Sequence, residues 1–424
     1  MISTASIKKK LYLTVVRYFR FFANASLKRW RPRVIAVTGS VGKTTLLNLL
    51  EVQLGNRAHY SHNANSSYGI TFDILGMDGV RGSKLRWLYL FVAAPIRSLW
   101  FRHRQEFYVV EIDGERPRET EFLASWLKPE VTLWVSVGRT HAVYFDGQVK
   151  QGLFATVEDA IVHEFSYLPK NTSKLVAYNA DSELIVRAMN GMHDIHGVQK
   201  VAVDESALSS YIVQPNKTEF VVNSTTYTFS EPMPREVYAQ LALLGVLADY
   251  LGDAVVTDLS SYVQPPGRSN FFRGKKGVKL IDSSYNAHLI SMESIFNLYK
   301  EMQTDKKWIV IGDIVEQGKA EAEEHMKLGE LLKVADFDRY VLVGRRTQKY
   351  TYPQLNSAKS VTFLKPIDAV KYLEKELSGD ETVLFKGSQY LEGIIEHLLE
   401  NPADIAKLPR QEPAAKKRRA RWGL

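Results

Sequence analysis

The chain has 424 residues, a hydrophobic fraction of 45% and a formal net charge of +8, which is enough for two or three domains with sizeable cores. It contains no cysteine, so disulfides, thiolate metal sites and cysteine nucleophiles are excluded, and a reducing cytoplasm is compatible with its composition. No secretory cleavage pattern is present.

The positive charge lies at the two ends of the chain. Residues 1–33 hold nine Lys or Arg and no acidic residue, and residues 401–424 hold seven against two acidic ones, so the body between them carries −6. This distribution argues against nucleic acid as the main partner. The basic ends are predicted to make weak contact with anionic membranes.

The first 32 residues mix apolar and basic side chains at helical spacing. Their apolar run is interrupted by Arg17 and Arg20 and is too short to span a bilayer. Two interpretations stay open, a helix on a membrane surface and a helix packed on the next domain. Residues 84–103 are similar, with Pro95 expected to interrupt a helix. For them a packed insertion is predicted, and membrane contact is the alternative.

Residues 38–45, TGSVGKTT, lie between an apolar run and a stretch with helical spacing. Gly39 and Gly42 let the backbone curl so that its N–H groups converge on phosphate oxygens, and the following helix N-terminus adds partial positive charge. Lys43 is predicted to reach the β- and γ-phosphates, and the Thr44 hydroxyl to bind Mg²⁺. The predicted nucleotide-binding residues of this loop are Gly39, Ser40, Gly42, Lys43, Thr44 and Thr45.

Two further strands are predicted, at 107–114 and 131–138. The first ends in Glu111 and Asp113, and the second is followed by His141. Strands that alternate with helices form a parallel sheet, which binds ligands at the carboxyl ends of its strands. The loop, Glu111 and His141 are therefore predicted to form a metal and phosphate site.

The rest of the chain continues this alternation. A hairpin is predicted through Asn223 and Ser224 and a helix over 235–251, and the sequence Pro-Pro-Gly at 265–267 marks a domain boundary. Beyond it, strands are predicted near 278–282, 307–312, 339–343 and 382–385.

The predicted fold is α/β. It has a central P-loop ATPase domain with a mostly parallel sheet at 33–264 and a C-terminal doubly wound, Rossmann-like domain at 265–400. A basic amphipathic segment, 1–32, precedes them, and a basic tail without apolar periodicity, 401–424, is predicted to be flexible.

In their order these motifs resemble the Mur ligase family, and within it the MurF ligases, over about residues 33–400. The loop TGSVGKTT is similar to the ATP loop of that family, and the segment from Asn63 to Gly69 is similar to its NxNxxxG loop. VVEIDGERPRE and SVGRTHAVYFDG resemble the segments that carry its metal-binding Glu and His. GRSNFF, LIDSSYNAHLISM, IGDIVEQGKAEAEEH and FKGSQ resemble C-terminal elements of the family.

The resemblance implies roles for individual residues. Catalytic roles are implied for Lys43, Glu111, His141 and Arg268, and metal binding for Thr44, Glu111 and His141. ATP contacts are implied for Arg268, Asp282, Tyr285 and Asn286. Substrate contacts are implied for Asn63, Asn65, Asp313, Glu316, Lys386 and Ser388.

The activity implied by the resemblance is ATP- and Mg²⁺-dependent formation of an amide bond through an acyl phosphate. The implied substrates are a UDP-linked muramoyl peptide and D-alanyl-D-alanine or a similar amine, used in peptidoglycan synthesis. A cytoplasmic monomer is expected, and its basic termini are expected to allow peripheral contact at the inner face of the membrane. Two alternatives stay open. They are an enzyme of this type for another carboxylate, and a nucleotide-binding protein without ligation.

The sequence departs from the family pattern in four places, one of which is the loop after Asn286, where His288-Leu289 replaces the usual Asn-Pro or Ser-Pro. Only about thirty residues precede the ATP loop, so the UDP-binding N-terminal domain of the family is expected to be missing. Ile161 stands where the family usually has a carbamylated lysine, with Glu158 one helical turn earlier. Ala239 or Gln240 stands where the family usually has an Asn near adenine.

Overall fold

The structure is a computed structural model that describes residues 4–62, 64–79, 84–193, 195–388 and 390–424. The chain divides into two compact units. Unit 1 comprises residues 1–138, 151–207 and 239–256, and unit 2 comprises residues 139–150, 208–238 and 257–424. This division differs from the predicted boundary at 264, because two inserted segments pack with the C-terminal residues although they precede them in sequence.

The strands of unit 1 form one parallel sheet. They are β1 (Arg33–Thr38), β2 (Ala58–Tyr60), β3 (Phe107–Ile112), β4 (Val131–Trp134), β5 (Leu175–Asn179) and β6 (Gln199–Val203). Their order is β2-β3-β1-β4-β5-β6, and each pair is parallel. The predicted parallel sheet is therefore confirmed, and it brings the carboxyl ends of β1, β3 and β4 to one edge.

Helices follow most of the strands of the two parallel sheets. They are α1 (Thr4–Trp30), α2 (Lys43–Leu54), α3 (Ser67–Ile74), α4 (Lys84–Trp100), α5 (Glu119–Leu127), α6 (Asp146–Lys150), α7 (Val157–Lys170), α8 (Glu183–Asn190), α9 (Val237–Leu251), α10 (Leu289–Glu301), α11 (Glu321–Ala335), α12 (Pro366–Glu376), α13 (Leu391–Leu398) and α14 (Pro413–Ala420). Within the ranges that the structure describes, no helix has both the length and the apolar character needed to cross a bilayer.

Helix α1 is packed on its own unit. Val16, Phe19 and Ala23 form its apolar face and are fully buried, and the last two belong to the core that also contains Leu90 of α4. Of the two open interpretations for the N-terminal segment, the packed helix is therefore the one observed. The apolar face of α1 is not available to a membrane.

Helix α4 continues through Pro95, where the sequence predicts an interruption. A proline cannot donate the hydrogen bond that would satisfy the carbonyl four residues earlier, which is that of Phe91. The Tyr18 hydroxyl of α1 donates to this carbonyl at 2.8 Å instead. A tertiary contact therefore supplies the donor that the helix lacks, so the helix does not have to end.

Unit 2 contains two sheets. The smaller, antiparallel sheet consists of β7 (Leu208–Gln214), β8 (Lys217–Val222) and β9 (Thr225–Phe229). The predicted hairpin is confirmed, because Asn223 and Ser224 join β8 to β9 with φ of 48° and 63°, the backbone that a two-residue turn requires.

The larger sheet of unit 2 is mostly parallel. Its strands are β10 (Asn270–Arg273), β11 (Lys279–Ser283), β12 (Lys306–Gly312), β13 (Arg339–Val343), β14 (Ser360–Phe363) and β15 (Glu381–Lys386). Their order is β10-β11-β15-β12-β13-β14, with β10 antiparallel to β11. The four predicted strands are confirmed as β11, β12, β13 and β15, whereas β10 and β14 were not predicted.

This sheet is covered on both faces. Val383 and Phe385 of β15 belong to one core, which includes residues of α12 and α13. Leu384 between them belongs to the other core, which includes residues of α10 and α11. Alternation of this kind is expected when helices cover both faces of a sheet, and the doubly wound prediction is confirmed.

The C-terminal residues are part of unit 2, not the flexible tail that the sequence predicts. Arg419 of α14 is buried, and its guanidinium lies 2.8 Å from the Glu396 carboxylate and 3.5 Å from that of the buried Glu392. Burial raises the pKa of Glu392, and nearby arginines oppose that shift. A buried carboxylate such as that of Glu392 needs a cation nearby. Arg419 of the tail provides one, and the composition of the tail does not reveal this contact.

Candidate active site

The loop after β1 requires glycine at two positions. Gly39 has φ of 140°, and an added Cβ would lie 2.8 Å from the backbone of Ser136. Gly42 has φ of 84°, and an added Cβ would lie 2.2 Å from Nε2 of Gln240. Both positive φ values are conformations that residues with a Cβ rarely adopt, and at Gly39 the added Cβ would also meet backbone atoms that cannot move aside. The backbone therefore curls as the sequence predicts, and α2 begins at the next residue.

Lys43 is buried at the start of α2. Its ammonium lies 2.8 Å from Oδ1 of Asp113 and donates a hydrogen bond to the carbonyl of Gly39. The side-chain amide of Asn65 donates to the other oxygen of Asp113 at 3.3 Å. Lys43, Asn65 and Asp113 thus form one connected group at the carboxyl ends of β1 and β3.

The Thr44 hydroxyl donates to Oε2 of Glu111 at 3.0 Å. Glu111 is buried near the end of β3, and Asp113 follows it by two residues, so both carboxylates project to the same side of the extended chain. A hydroxyl and two carboxylates are hard oxygen ligands of the kind that Mg²⁺ prefers. Thr44, Glu111 and Asp113 therefore fit a magnesium ion.

A second loop, residues 136–138, braces the first. The Ser40 hydroxyl donates to the Gly138 carbonyl at 2.9 Å and accepts the N–H of the same residue at 2.8 Å. The Ser136 hydroxyl accepts the N–H of Val41 at 2.8 Å. Ser40, which is predicted to contact phosphate, therefore also holds the two loops together. Thr45 lies half-buried in the first turn of α2.

Two residues near the loop were not assigned from the sequence. Asp113 could have been found from its two-residue spacing to Glu111. Gln240 of α9 stands, with Ala239 as the alternative, at the position where the resemblance places an Asn near adenine, but only the packing of α9 shows that its amide lies against Gly42. Ile161, at the position of the family's carbamylated lysine, is buried in α7 and has no oxygen to offer a metal.

His141 belongs to unit 2. Its Nδ1 lies 2.7 Å from Oε2 of Glu316, and the Glu316 carbonyl accepts the N–H of Val143 at 3.1 Å. The predicted metal set of Thr44, Glu111 and His141 is thus divided between the two units. Its assembly around one ion stays a prediction.

The predicted ATP contacts of unit 2 lie around Tyr285. The guanidinium of Arg268 is 4.8 Å from the centre of the Tyr285 ring, and that of Arg410 is 5.3 Å from it. Asn286 follows, half-buried, before α10. Two guanidinium groups therefore lie close to the Tyr285 ring.

Asp282 and Lys386 are buried on the neighbouring strands β11 and β15. Burial raises the pKa of Asp282 to about 6, although the N–H of Ser284 donates to its carboxylate at 2.9 Å. Burial, together with the charge of Arg268, lowers the pKa of Lys386 to about 7, and Asp282 opposes that shift. Both groups change charge near neutral pH.

Replacing Lys386 by Met is expected to raise the melting temperature most below pH 7. A lysine in the unfolded chain has a pKa near 10.4, so burying the charged form costs free energy below pH 7, and this cost disappears as the pH rises to about 10. Thermal unfolding at about pH 6 and about pH 10 measures the difference. Lys375→Met, at a mostly exposed position, is the control. An equal rise in melting temperature at both pH values would contradict the lowered pKa of Lys386.

A cavity of about 550 Å³ opens at the carboxyl ends of the unit 2 strands. Its lining includes Asp313, Glu321, Arg346, Ser388 and Tyr390. The carboxylate of Asp313 accepts the N–H of Thr347 at 2.9 Å and lies 3.4 Å from the Arg346 guanidinium. The structure therefore brings two predicted substrate residues, Asp313 and Ser388, to one cavity.

The other predicted substrate residues lie elsewhere. Glu316 contacts His141, Lys386 is buried beside Asp282, and Asn65 belongs to unit 1. Asn63 lies outside the described residues.

His325, in a segment that resembles the family, has a structural role. Its Nδ1 donates to the Glu321 carbonyl at 2.7 Å, and its Nε2 accepts the N–H of Ile314 at 3.1 Å. The ring is fully buried, and burial lowers its pKa. Both nitrogens are engaged by backbone groups, so the ring fixes the turn that follows β12.

Comparison with known proteins agrees with these observations. Residues 267–389 match the domain family described as "Mur ligase, glutamate ligase domain". The UDP-N-acetylmuramoyl-tripeptide–D-alanyl-D-alanine ligase of Escherichia coli K12 is 24% identical over 325 residues, which cover 74% of this chain and 65% of that enzyme. The match thus spans slightly less than two thirds of the length of that relative.

Two solved structures share the fold. MurF from Acinetobacter baumannii has a TM-score of 0.73 at 19% identity and covers 91% of this chain and 80% of its own. MurF from Thermotoga maritima, solved in complex with ADP, has a TM-score of 0.70 at 22% identity and covers 95% of this chain and 84% of its own. Residues 267–389 therefore match a Mur ligase domain, and the chain as a whole has the fold of the MurF structures to which it is similar.

Proposed function

We propose that the chain is an ATP- and Mg²⁺-dependent carboxylate–amine ligase that releases ADP. The observation that carries this proposal is the arrangement after β1, where Lys43 contacts Asp113 at 2.8 Å and Thr44 contacts Glu111 at 3.0 Å. A lysine, a hydroxyl and two carboxylates at a helix N-terminus suit a magnesium nucleotide. Many kinds of protein bind a magnesium nucleotide. The similarity of this chain to MurF ligases is the reason why we propose ligation.

The reaction has two steps. An oxygen of the substrate carboxylate attacks the γ-phosphorus, ADP leaves, and an acyl phosphate forms. The nitrogen of an amine then attacks the acyl carbon, the amine loses a proton, and inorganic phosphate leaves as the amide forms. Such a reaction requires positioning and charge neutralisation more than a protein nucleophile, which agrees with a chain without cysteine.

The residues of unit 1 bind and neutralise the phosphates. The Lys43 ammonium carries the positive charge, and the N–H groups at the start of α2 add partial positive charge. Thr44, Glu111 and Asp113 would hold Mg²⁺, which when bound neutralises phosphate charge. Because Asp113 already contacts Lys43, a nucleotide phosphate exchanges one anionic partner of the lysine for another.

In unit 2 we assign the nucleotide to Arg268, Tyr285 and Asn286, and the amine substrate to the cavity beside Asp313. An amino acid or dipeptide acceptor carries an ammonium and a carboxylate. The cavity offers carboxylates at Asp313 and Glu321 and guanidinium groups at Arg345 and Arg346. Both ends of such an acceptor therefore find a group of opposite charge.

The test is incubation with ATP, Mg²⁺, UDP-N-acetylmuramoyl-tripeptide and D-alanyl-D-alanine, followed by mass analysis. A condensed product with one ADP per bond is expected from the wild type and from Lys375→Ala, a substitution at a mostly exposed lysine. If ADP formed only with another carboxylate, the proposed substrate would have to be replaced by that carboxylate. Nucleotide binding without turnover of any carboxylate would overturn the ligase proposal.

A further inference from the structure

Helix α4 is apolar on its outer face. From Leu85 to Trp100, every exposed side chain is apolar, with between 54% and 81% of its surface accessible. The positions recur at helical spacing and are Leu85, Leu88, Val92, Ile96, Leu99 and Trp100, with Tyr89 beside Leu88. A surface helix normally presents polar residues to water. We call these seven side chains the α4 strip.

The α4 strip is held in place by unit 1. The opposite side of the helix, with Leu90 and Ala94, is buried in the core, and Phe91 packs on Phe19 of α1 with ring centres 5.0 Å apart. The strip is about 22 Å long, since a helix rises 1.5 Å per residue. It is therefore a fixed apolar surface that is shorter than the thickness of a bilayer.

Basic residues flank this strip. Arg29 of α1 donates to the carbonyl of Ser98, so it lies beside the C-terminal half of α4. Arg97 belongs to the same half, and the exposed Arg102 follows the helix. Arg86 lies at the other end, where Asp78 is 3.7 Å from it. Neither residues 1–33 nor residues 84–105 contain an acidic side chain.

We infer that the α4 strip is a docking surface for an anionic lipid bilayer, on which unit 1 lies peripherally. Apolar side chains that project together enter the boundary between headgroups and acyl chains, and flanking cations attract anionic headgroups. A second copy of the chain fits less well, because a two-fold interface would bring the same arginines against each other. The surface lies on α4 and not on the buried apolar face of α1.

Vesicle co-sedimentation tests the inference. The full-length protein should pellet with phosphatidylcholine vesicles that contain phosphatidylglycerol, less with pure phosphatidylcholine, and less at high salt. Leu88→Glu/Val92→Glu should weaken binding at least about tenfold, because two apolar side chains no longer insert and two anionic groups are added. Val263→Glu/Val334→Glu, at two positions that are each 75% exposed in unit 2, adds the same charge and should bind as the wild type does.

Tryptophan fluorescence provides a second measurement. Trp100 is 81% exposed, so its emission should shift to shorter wavelength when anionic vesicles are added. Trp100→Phe should lose this shift and still pellet. Equal pelleting of the two double variants, or wild-type dimerisation through α4 without vesicle binding, would overturn the inference.

Discussion

Replacing Lys43 by Met is expected to lower ADP formation by about 10²- to 10³-fold, the loss typical when one charge-stabilising group is removed from an active site. Met keeps much of the apolar stem of the buried side chain but cannot neutralise a phosphate. The measurement is the initial rate of ADP release at saturating Mg²⁺, together with nucleotide affinity by calorimetry.

The control for this experiment uses the partner of the lysine. Lys43→Met leaves Asp113 without its cation, so the variant also loses stability. Lys43→Met/Asp113→Asn removes both charges and should recover much of the melting temperature but none of the turnover. Turnover that returned together with stability would show that Lys43 has only a structural role.

Glu111→Gln is expected to raise the Mg²⁺ concentration for half-maximal activity at least about tenfold. The amide has the same shape and can still accept the hydrogen bond of Thr44, but it lacks the negative charge that a magnesium ligand provides. A magnesium titration at fixed ATP measures the change. Glu51→Gln, at a side chain that is 49% exposed on α2, removes the same charge from unit 1 and should leave the titration unchanged.

A second outcome would refute the metal assignment. If Glu111→Gln reduced the maximal rate but left the magnesium dependence as in the wild type, Glu111 would act without binding the ion. The ion would then have to be held by Thr44 and Asp113 without Glu111.

Much of the fold could be predicted because its signals are local. Apolar runs that end in polar residues predict β1, β3 and the central strands of unit 2, and their alternation with helices predicts parallel sheets. The short strands β10 and β14 carry weaker patterns. The packing of segments 139–150 and 208–238 with unit 2 depends on contacts that are distant in sequence, so no local pattern could show it.

The part of the candidate site that lies in a single loop could be predicted from the sequence. The glycines, Lys43 and Thr44 share a short motif, and Glu111 follows from the end of a buried strand. The roles of Gln240 and Ser136 depend on how other elements pack against the loop. The basic tail was predicted to be flexible because it lacks apolar periodicity, and this prediction was wrong. Such a sequence can still be held in place by ion pairs, such as that of Arg419 with Glu396.

Under the proposed assignment of the amine to the cavity beside Asp313, the turn after β12 limits how this protein could be altered to accept another amine. Asp313 lines the cavity, His325 fixes the N–H of Ile314, and Glu316 holds His141, so one short segment serves both the cavity and the histidine. A substitution that widens the cavity by moving Asp313 would also displace His141. Leu364 and Trp422 line the cavity from other segments. Substitutions at these two positions can therefore change the size of the cavity without disturbing His141.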